Sequence, residues 1–407
     1  MSNQIQKTAA SGKTKRIAAF DLMRGFFLMV ILVDHVELYP NGFDIFTGKG
    51  RLWVSAAEGF FFLSGLLIGM IYKRRLALGM KFIFKKMWIR AAELWAVGVS
   101  LTFVFLCWVE FTHHAPIKDS LPSPFPWHHI IEQALLMRFT YGWGDFLVRF
   151  AILMLIAPFV FYVIARGYWR IALSGIVIAW CFRNQSFTLA WQLLFNSGII
   201  IGFYWQEINE WIQKLKPKPK RYLKRTTYSI ALSTFTLSYL SVYLLSLLNH
   251  EYGKLTPWLR HLTYTWNNYN YDIWVYAQKW TMGPLRVVLF FFWFSVIFML
   301  AERYQRQINR YTRGILDLLG RNSLFVYAAH AFIVFTLKMY FIPAQTSFLQ
   351  NMLITGIALI TLVGITIAYK AFTSGSGYNR PDKLASSINR KRQSLMTGRL
   401  SSASAKS

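Results

Sequence analysis

The residues of this chain whose types and spacing can do chemistry lie inside its most apolar segments. The stretch FDLMRGFFLMVILVDHVELYP, residues 20–40, holds Asp21, Arg24, Asp34 and His35. Arg24 and His35 are eleven positions apart. In an α-helix about 1100° of rotation returns them to within about 20° of one face, roughly 16 Å apart along the axis. Asp21 lies one turn from Arg24 and can pair with it. A guanidinium at one end of such a stripe suits an anion, and an imidazole at the other suits proton abstraction. Ionisable groups at this depth in an apolar segment mark a pathway or an active site.

Two further segments carry polar stripes. In AAEGFFFLSGLLIG, residues 56–69, Glu58 falls near the depth of His35, where a carboxylate can fix the ring's tautomer and raise its basicity. Ser64 offers a hydroxyl at mid-depth, while Gly65 and Gly69 read as sites of close helix packing. In LDLLGRNSLFVYAAHAF, residues 316–332, Gly320, Ser323, Tyr327 and His330 follow the 3, 4, 3 spacing of one helical face. Asp317 and Arg321 form an i,i+4 pair at its start. A polar stripe of this kind also serves plain interhelical hydrogen bonding; its coincidence with two others favours a site.

The elements that must position these groups are membrane helices. The 407 residues are 55% hydrophobic and 15% charged, with 18% aromatic rings, too apolar for a soluble chain of this length. Repeated apolar runs of span length predict an all-α, polytopic helical protein, and the short alternating segments of a β-barrel are missing. Ten spans are expected, near residues 17–38, 53–72, 91–111, 145–165, 170–183, 187–205, 227–249, 283–301, 315–337 and 349–369. With both termini cytoplasmic, most of the 45 Lys and Arg fall on the inner side, including KRR at 73–75 and KLKPKPKRYLKR at 214–225. The net charge of +28 therefore reads as topology and contact with anionic membrane lipids, and not as a nucleic-acid surface. Residues 1–16 and 371–407, polar and basic, are expected to be disordered cytoplasmic tails flanking one membrane domain, 17–370.

Other features read more plainly. Cys107 and Cys181 fall inside predicted spans as packing residues, with no disulfide or metal site. The loop at 112–129 has the pairs His113–His114 and His128–His129 but lacks the Cys and acid partners of a metal site. A half-helix is expected at 130–140. The outer loop at 250–282, with YTWNNYNYDIWVYAQKW, suits either stacking on sugar faces or an interfacial aromatic belt. Asp145 with Arg149, Glu93 beside Arg90, Glu110 and Arg286 lie near span ends, where snorkelling or local pairing accounts for them.

The Arg, ten residues, then His of the first span, FFFLSG in the second and LGRNSLFVYAAH late in the chain resemble the acyltransferase-3 superfamily. Within it, DLMRGFF with VDH and LWVSAAEGFFFLSGLLIGMIYKRR are most similar to the OpgC-type branch. The resemblance spans most of 17–369 and implies transfer of an acyl group, succinyl or acetyl, from cytoplasmic acyl-CoA to a hydroxyl of an extracytoplasmic carbohydrate. It implies acyl-CoA as co-substrate, no tightly bound cofactor, and a place in the cell (inner or plasma) membrane. Its motif residues fall on Arg24, His35 and Glu58, and on Gly320, Ser323 and His330; Asp34 before the His is also typical of the branch. On this reading Arg24 and Arg321 hold the nucleotide end, and His35 is the base with Glu58 or Asp34 orienting it. Ser64, Asn322, Ser323, Tyr327 and His330 are the candidates for contacting substrate or the oxyanion. A dicarboxylic acyl group would want a further buried cation, for which Arg149 and Arg286 are candidates. A glycan or lipid transporter is the rival reading, against which stands the lack of an internal repeat.

Overall fold

In hydrocarbon every backbone N–H and C=O must find its partner within the segment or a closed sheet, so long apolar runs become helices. A computed structural model describes residues 17–113, 126–341 and 347–375. The main helices are α1 (Ala18–Val36), α2 (Ala56–Lys73), α3 (Met80–Thr112), α4 (Trp127–Leu135), α5 (Asp145–Ala165), α6 (Trp169–Cys181) and α7 (Phe187–Phe203). They continue as α8 (Trp205–Lys214), α9 (Pro217–His250), α10 (Pro257–Tyr276), α11 (Pro284–Tyr311), α12 (Ile315–Arg321), α13 (Ser323–Tyr340) and α14 (Phe348–Gly375). There is no strand among the described residues, and the chain is an all-α polytopic membrane protein.

Seven of the described helices are long and apolar enough to cross a membrane, eight if α7 and α8 count as one bent span. Every expected span has its helix, but four differ from expectation, and of these the fifth, α6, is a short apolar helix of 13 residues that falls below span length. The first, α1, carries three charged residues, Asp21, Arg24 and Asp34, within 19 positions. The sixth ends at Phe203, where α8 turns away by 66° carrying Glu207, Glu210 and Lys214. Its opposed polar and apolar faces suit the membrane surface. The ninth is broken at Asn322, with φ −106° and ψ 30°, into α12 and α13.

The outer segment 250–282, expected as a loop, is mostly the helix α10, started by Pro257 at its first turn. The expected half-helix at 130–140 is α4, displaced to 127–135. Cys107 and Cys181 are free and exposed on their helices instead of packed. The tail at 1–16, residues 376–407 and positions 114–125, with His114, lie outside the described residues. By proximity residues up to Leu362 form one unit and Val363 onward another, of which the described part is the end of α14.

Missing side chains set the closest helix contacts. A Cβ on Gly25 would overlap the Leu316 carbonyl, and one on Gly320 would overlap the Asp21 carbonyl, so α1 and α12 meet backbone to backbone. Gly65 and Gly69 of α2 and Gly198 and Gly202 of α7 do the same for that pair. The first contact anchors the inner half of α1, and α13 follows directly from α12.

Candidate active site

α1 and α13 run in the same direction and meet at two levels. At the inner level Arg24 Nη2 donates to Ser323 Oγ at 2.6 Å, and the guanidinium lies 5.5 Å from the centre of the Phe60 ring. At the outer level His35 Nδ1 lies 2.8 Å from His330 Nε2. Ser323 and His330 are seven residues apart and so share a face, as Arg24 and His35 do.

The histidine pair fixes its own protons. His330 Nδ1 lies 2.9 Å from the Tyr327 carbonyl oxygen, which only accepts. That nitrogen therefore carries the hydrogen, and in the neutral ring Nε2 is left as an acceptor. The hydrogen between the rings then belongs to His35 Nδ1, and His35 Nε2 keeps a free lone pair. His330 is fully buried whereas His35 is partly exposed, so the basic nitrogen is on the reachable ring.

Asp34, next to His35, has a buried Oδ1 without a hydrogen-bond partner among the described residues. Beyond the span, burial above all, with the carboxylates of Asp34, Glu37 and Asp44 adding to it, pushes the Tyr39 phenol above its ordinary value. It remains a neutral donor. A cavity of about 250 Å³ runs beside α1, walled by Phe26, Phe27, Val30 and Asp34 with Phe290 and Phe294 of α11. It is a largely apolar slot that reaches the depth of the dyad.

A family model described as OpgC protein matches residues 16–372. The chain belongs to the OpgC family. The match takes in the described helices from α1 to most of α14, and hence all three polar stripes. Membership points to a transferase role in the membrane. No curated protein and no solved structure matches this OpgC-family chain.

Within this OpgC-family protein the other sequence-selected residues fall into two groups. Glu58 is not the partner of His35. It caps the start of α2, accepting from the Ser55 backbone N–H at 3.0 Å and from the Ser55 hydroxyl, and it forms a buried ion pair with Arg286. Its lone pairs serve that cap and the guanidinium, which leaves the ring to His330. Arg321 pairs with Asp317 at 2.8 Å and is half exposed. Ser64 donates to the Phe60 carbonyl at 2.8 Å, and the Asn322 amide donates to the Leu318 carbonyl at 2.9 Å, so both close onto their own helices. Ser323 accepts from Arg24 and still has a proton to give. Tyr327 is buried, its ring 4.7 Å from that of Phe146, with a hydroxyl that has no hydrogen-bond partner among the described residues.

Two features escaped the sequence. Arg286, read there as a span-end residue or as a candidate buried cation for a dicarboxylic acyl group, is 3% exposed and is the ion-pair partner of Glu58, a pairing the sequence did not show. The partnership of His330 with His35, 295 residues apart, also went unread, although both residues had been singled out. A cation two residues into an apolar span, with an acid at matching depth in another, was the available signal for the first. No group of three or more His, Cys, Asp or Glu placed to hold a metal ion occurs among the described residues.

Proposed function

We propose that this protein is an acyl-CoA-dependent O-acyltransferase of the inner or plasma membrane. It moves an acyl group, succinyl or acetyl, from cytoplasmic acyl-CoA to a hydroxyl of an extracytoplasmic glycan. The observation that carries this reading is the His35–His330 dyad, which leaves His35 Nε2 as an oriented, reachable base at the outer end of a helix whose inner part carries Arg24.

The chemistry runs along α1. Arg24, with Arg321 near the inner mouth and the cytoplasmic basic loops, holds the anionic nucleotide end of the donor. The pantetheine arm follows the apolar slot beside α1. At the outer end His35 Nε2 takes the proton of an acceptor hydroxyl as its oxygen attacks the thioester carbon. Tyr327, one turn from His330 and with a hydroxyl proton left to give, is the candidate donor to the developing oxyanion, while Ser323 stays with Arg24 at the inner level. The C–S bond then breaks, the proton passes from His35 to the departing sulfur, and the ester and free CoA are released.

Purified protein carrying His35→Ala tests the reading, with acyl transfer to glycan and CoA release both measured. A loss of about 10²- to 10⁴-fold is expected for removal of a general base. Full transfer by His35→Ala sinks it. Glycan flux without CoA release would support the transporter reading instead.

A further inference from the structure

A second cavity, of about 530 Å³, opens at the outer side between the segment following α1, the outer end of α9 and the stretch from α10 to α11. Its size lies within the range of about 300–1,000 Å³ typical of small-molecule sites. Arg51, Lys279 and Arg286 all line it, and no Asp or Glu does. Arg51 and Lys279 have no ion-pair partner among the described residues, and Arg286 Nη2, in a side chain 3% exposed, has no hydrogen-bond partner there. Its Nη1 donates to the Ala277 carbonyl at 2.8 Å, and its Nε serves Glu58, so the NH2 group at Nη2 of a rigidly held fork is left for a ligand.

The rest of the wall fits a sugar. Asn249 and Asn267 exchange amide hydrogen bonds at 3.1 and 2.8 Å, which ties α9 to α10 and leaves each amide a further N–H for hydroxyls. Trp280 supplies an apolar plane at the rim, and Asn270 a third amide. Lys and Arg are sparse on the outer face of membrane proteins, so Arg51 and Lys279, both without an ion-pair partner among the described residues, beside the already paired Arg286 exceed what topology demands. The cavity also adjoins the dyad's end of α1. Leu52 walls both it and the apolar slot, and the position a Cβ would take on Gly50 lies 3.5 Å from the Asp34 carboxyl carbon.

We propose that this cavity is the acceptor subsite and that it selects a glycan bearing an anionic substituent, a phosphate or a carboxylate. The inference rests on the acyltransferase reading for its purpose, but not for its test. The anion lies against Arg51, Lys279 and the unpartnered Nη2 of Arg286, while neighbouring sugar hydroxyls meet the amides. A hydroxyl of the same chain is thereby presented toward Asp34 and His35.

The experiment uses the full-length protein in lipid nanodiscs and three probes: a neutral glucose oligosaccharide, the same oligosaccharide with one phosphomonoester, and the same with one terminal uronic acid. Binding is measured without any acyl-CoA, and KM is then measured with acetyl-CoA and with succinyl-CoA. At least one anionic probe is expected to bind about tenfold more tightly than the neutral one, the factor set by one charged hydrogen bond. The two anionic arms identify the preferred group. That ratio should fall toward one in Arg51→Gln/Lys279→Gln, and partly in Arg51→Gln alone, whose exposed side chain is the safer removal. Equal binding of all three probes, or a preference unchanged in both variants, overturns the proposal. A charge effect that appears only when the donor is succinyl-CoA also overturns it, because the cations would then read the donor. If no probe is acylated with either donor the acyltransferase reading fails, while the binding ratios still decide the subsite.

Discussion

The two ends of α1 solve the same problem differently. At the inner end Arg24 reaches Ser323, and at the outer end His35 meets His330. Eleven residues on α1 span roughly 16 Å, whereas the seven between Ser323 and His330 span about 10 Å. The difference of about 6 Å is absorbed by the long Arg24 side chain, which leans toward α13, while the two short imidazoles meet ring to ring. A long flexible cation can follow a ligand's phosphate. A short ring held by a second ring whose own proton is fixed by a backbone carbonyl cannot drift, which is what a base needs and an anion clamp does not.

The strongest test of this contrast exchanges the roles of the two rings. The proposed mechanism makes His35 the base and His330 a positioning residue, so glutamine at the two places should not be equivalent. His35→Gln is expected to lose about 10²- to 10⁴-fold in transfer rate. His330→Gln keeps an amide oxygen able to accept from His35 Nδ1 and should retain clearly more activity, with more lost in kcat than in acyl-CoA KM, and His330→Ala should fall below it. Equal losses in His35→Gln and His330→Gln, or the reverse order, would break the assignment.

Next in size is the outer ion pair. Glu58 and Arg286 are 0% and 3% exposed, and removing one partner of such a pair leaves a buried charge, at a cost of about 3–5 kcal/mol. Glu58→Gln and Arg286→Met should each lower the thermal unfolding midpoint in detergent sharply. The double variant should be less damaged than the sum of the two. Strict additivity would show that the pair does not act as a unit.

These cases also show why some of the site was legible and some was not. The 3.6-residue period put Arg24 with His35, and Ser323 with His330, on single faces, because those relations are internal to one helix. The same holds for Asp317–Arg321 and Asp145–Arg149, both found as i,i+4 pairs at 2.8 and 3.3 Å. Azimuth was not legible. Which carboxylate or ring faces which across 228 or 295 residues depends on helix rotation and packing, and Glu58 turns to Arg286 while His35 turns to His330. The break at Asn322 lies in the polar run GRNS, residues 320–323, which read as one polar stripe of a continuous span because its spacing also fits a single helical face.

The inner contact comes third. Arg24 and Ser323 share one charge-assisted hydrogen bond, worth about 1.5–3 kcal/mol. Ser323→Ala should raise the KM for acyl-CoA by about tenfold or somewhat more, through a misplaced guanidinium, and Arg24→Gln should raise it further, both with kcat falling less. Loss of kcat at unchanged KM in Arg24→Gln would move that residue from the donor clamp to the reaction centre and erase the difference between the two ends.

The smallest effect belongs to the inner margin, where Lys73 at the end of α2 pairs with Glu207 of α8, with side chains 30% and 53% exposed. Burial works to raise the Glu207 carboxyl, but the hydrogen bond and charge of Lys73 outweigh it and hold the group below its ordinary value of 4.5. A depressed folded value means the stabilisation is complete well above that pH and is lost as pH falls through the carboxylate range. Solvent screening limits it to about 0–1 kcal/mol. Glu207→Gln should therefore shift the unfolding midpoint slightly at pH 7, less in high salt, and not at all once the carboxyl is protonated in the unsubstituted protein. A shift as large as that of Glu58→Gln would mean that α8 is anchored as firmly as the outer wall. The division between an adaptable donor end and a rigid acceptor end would then fail.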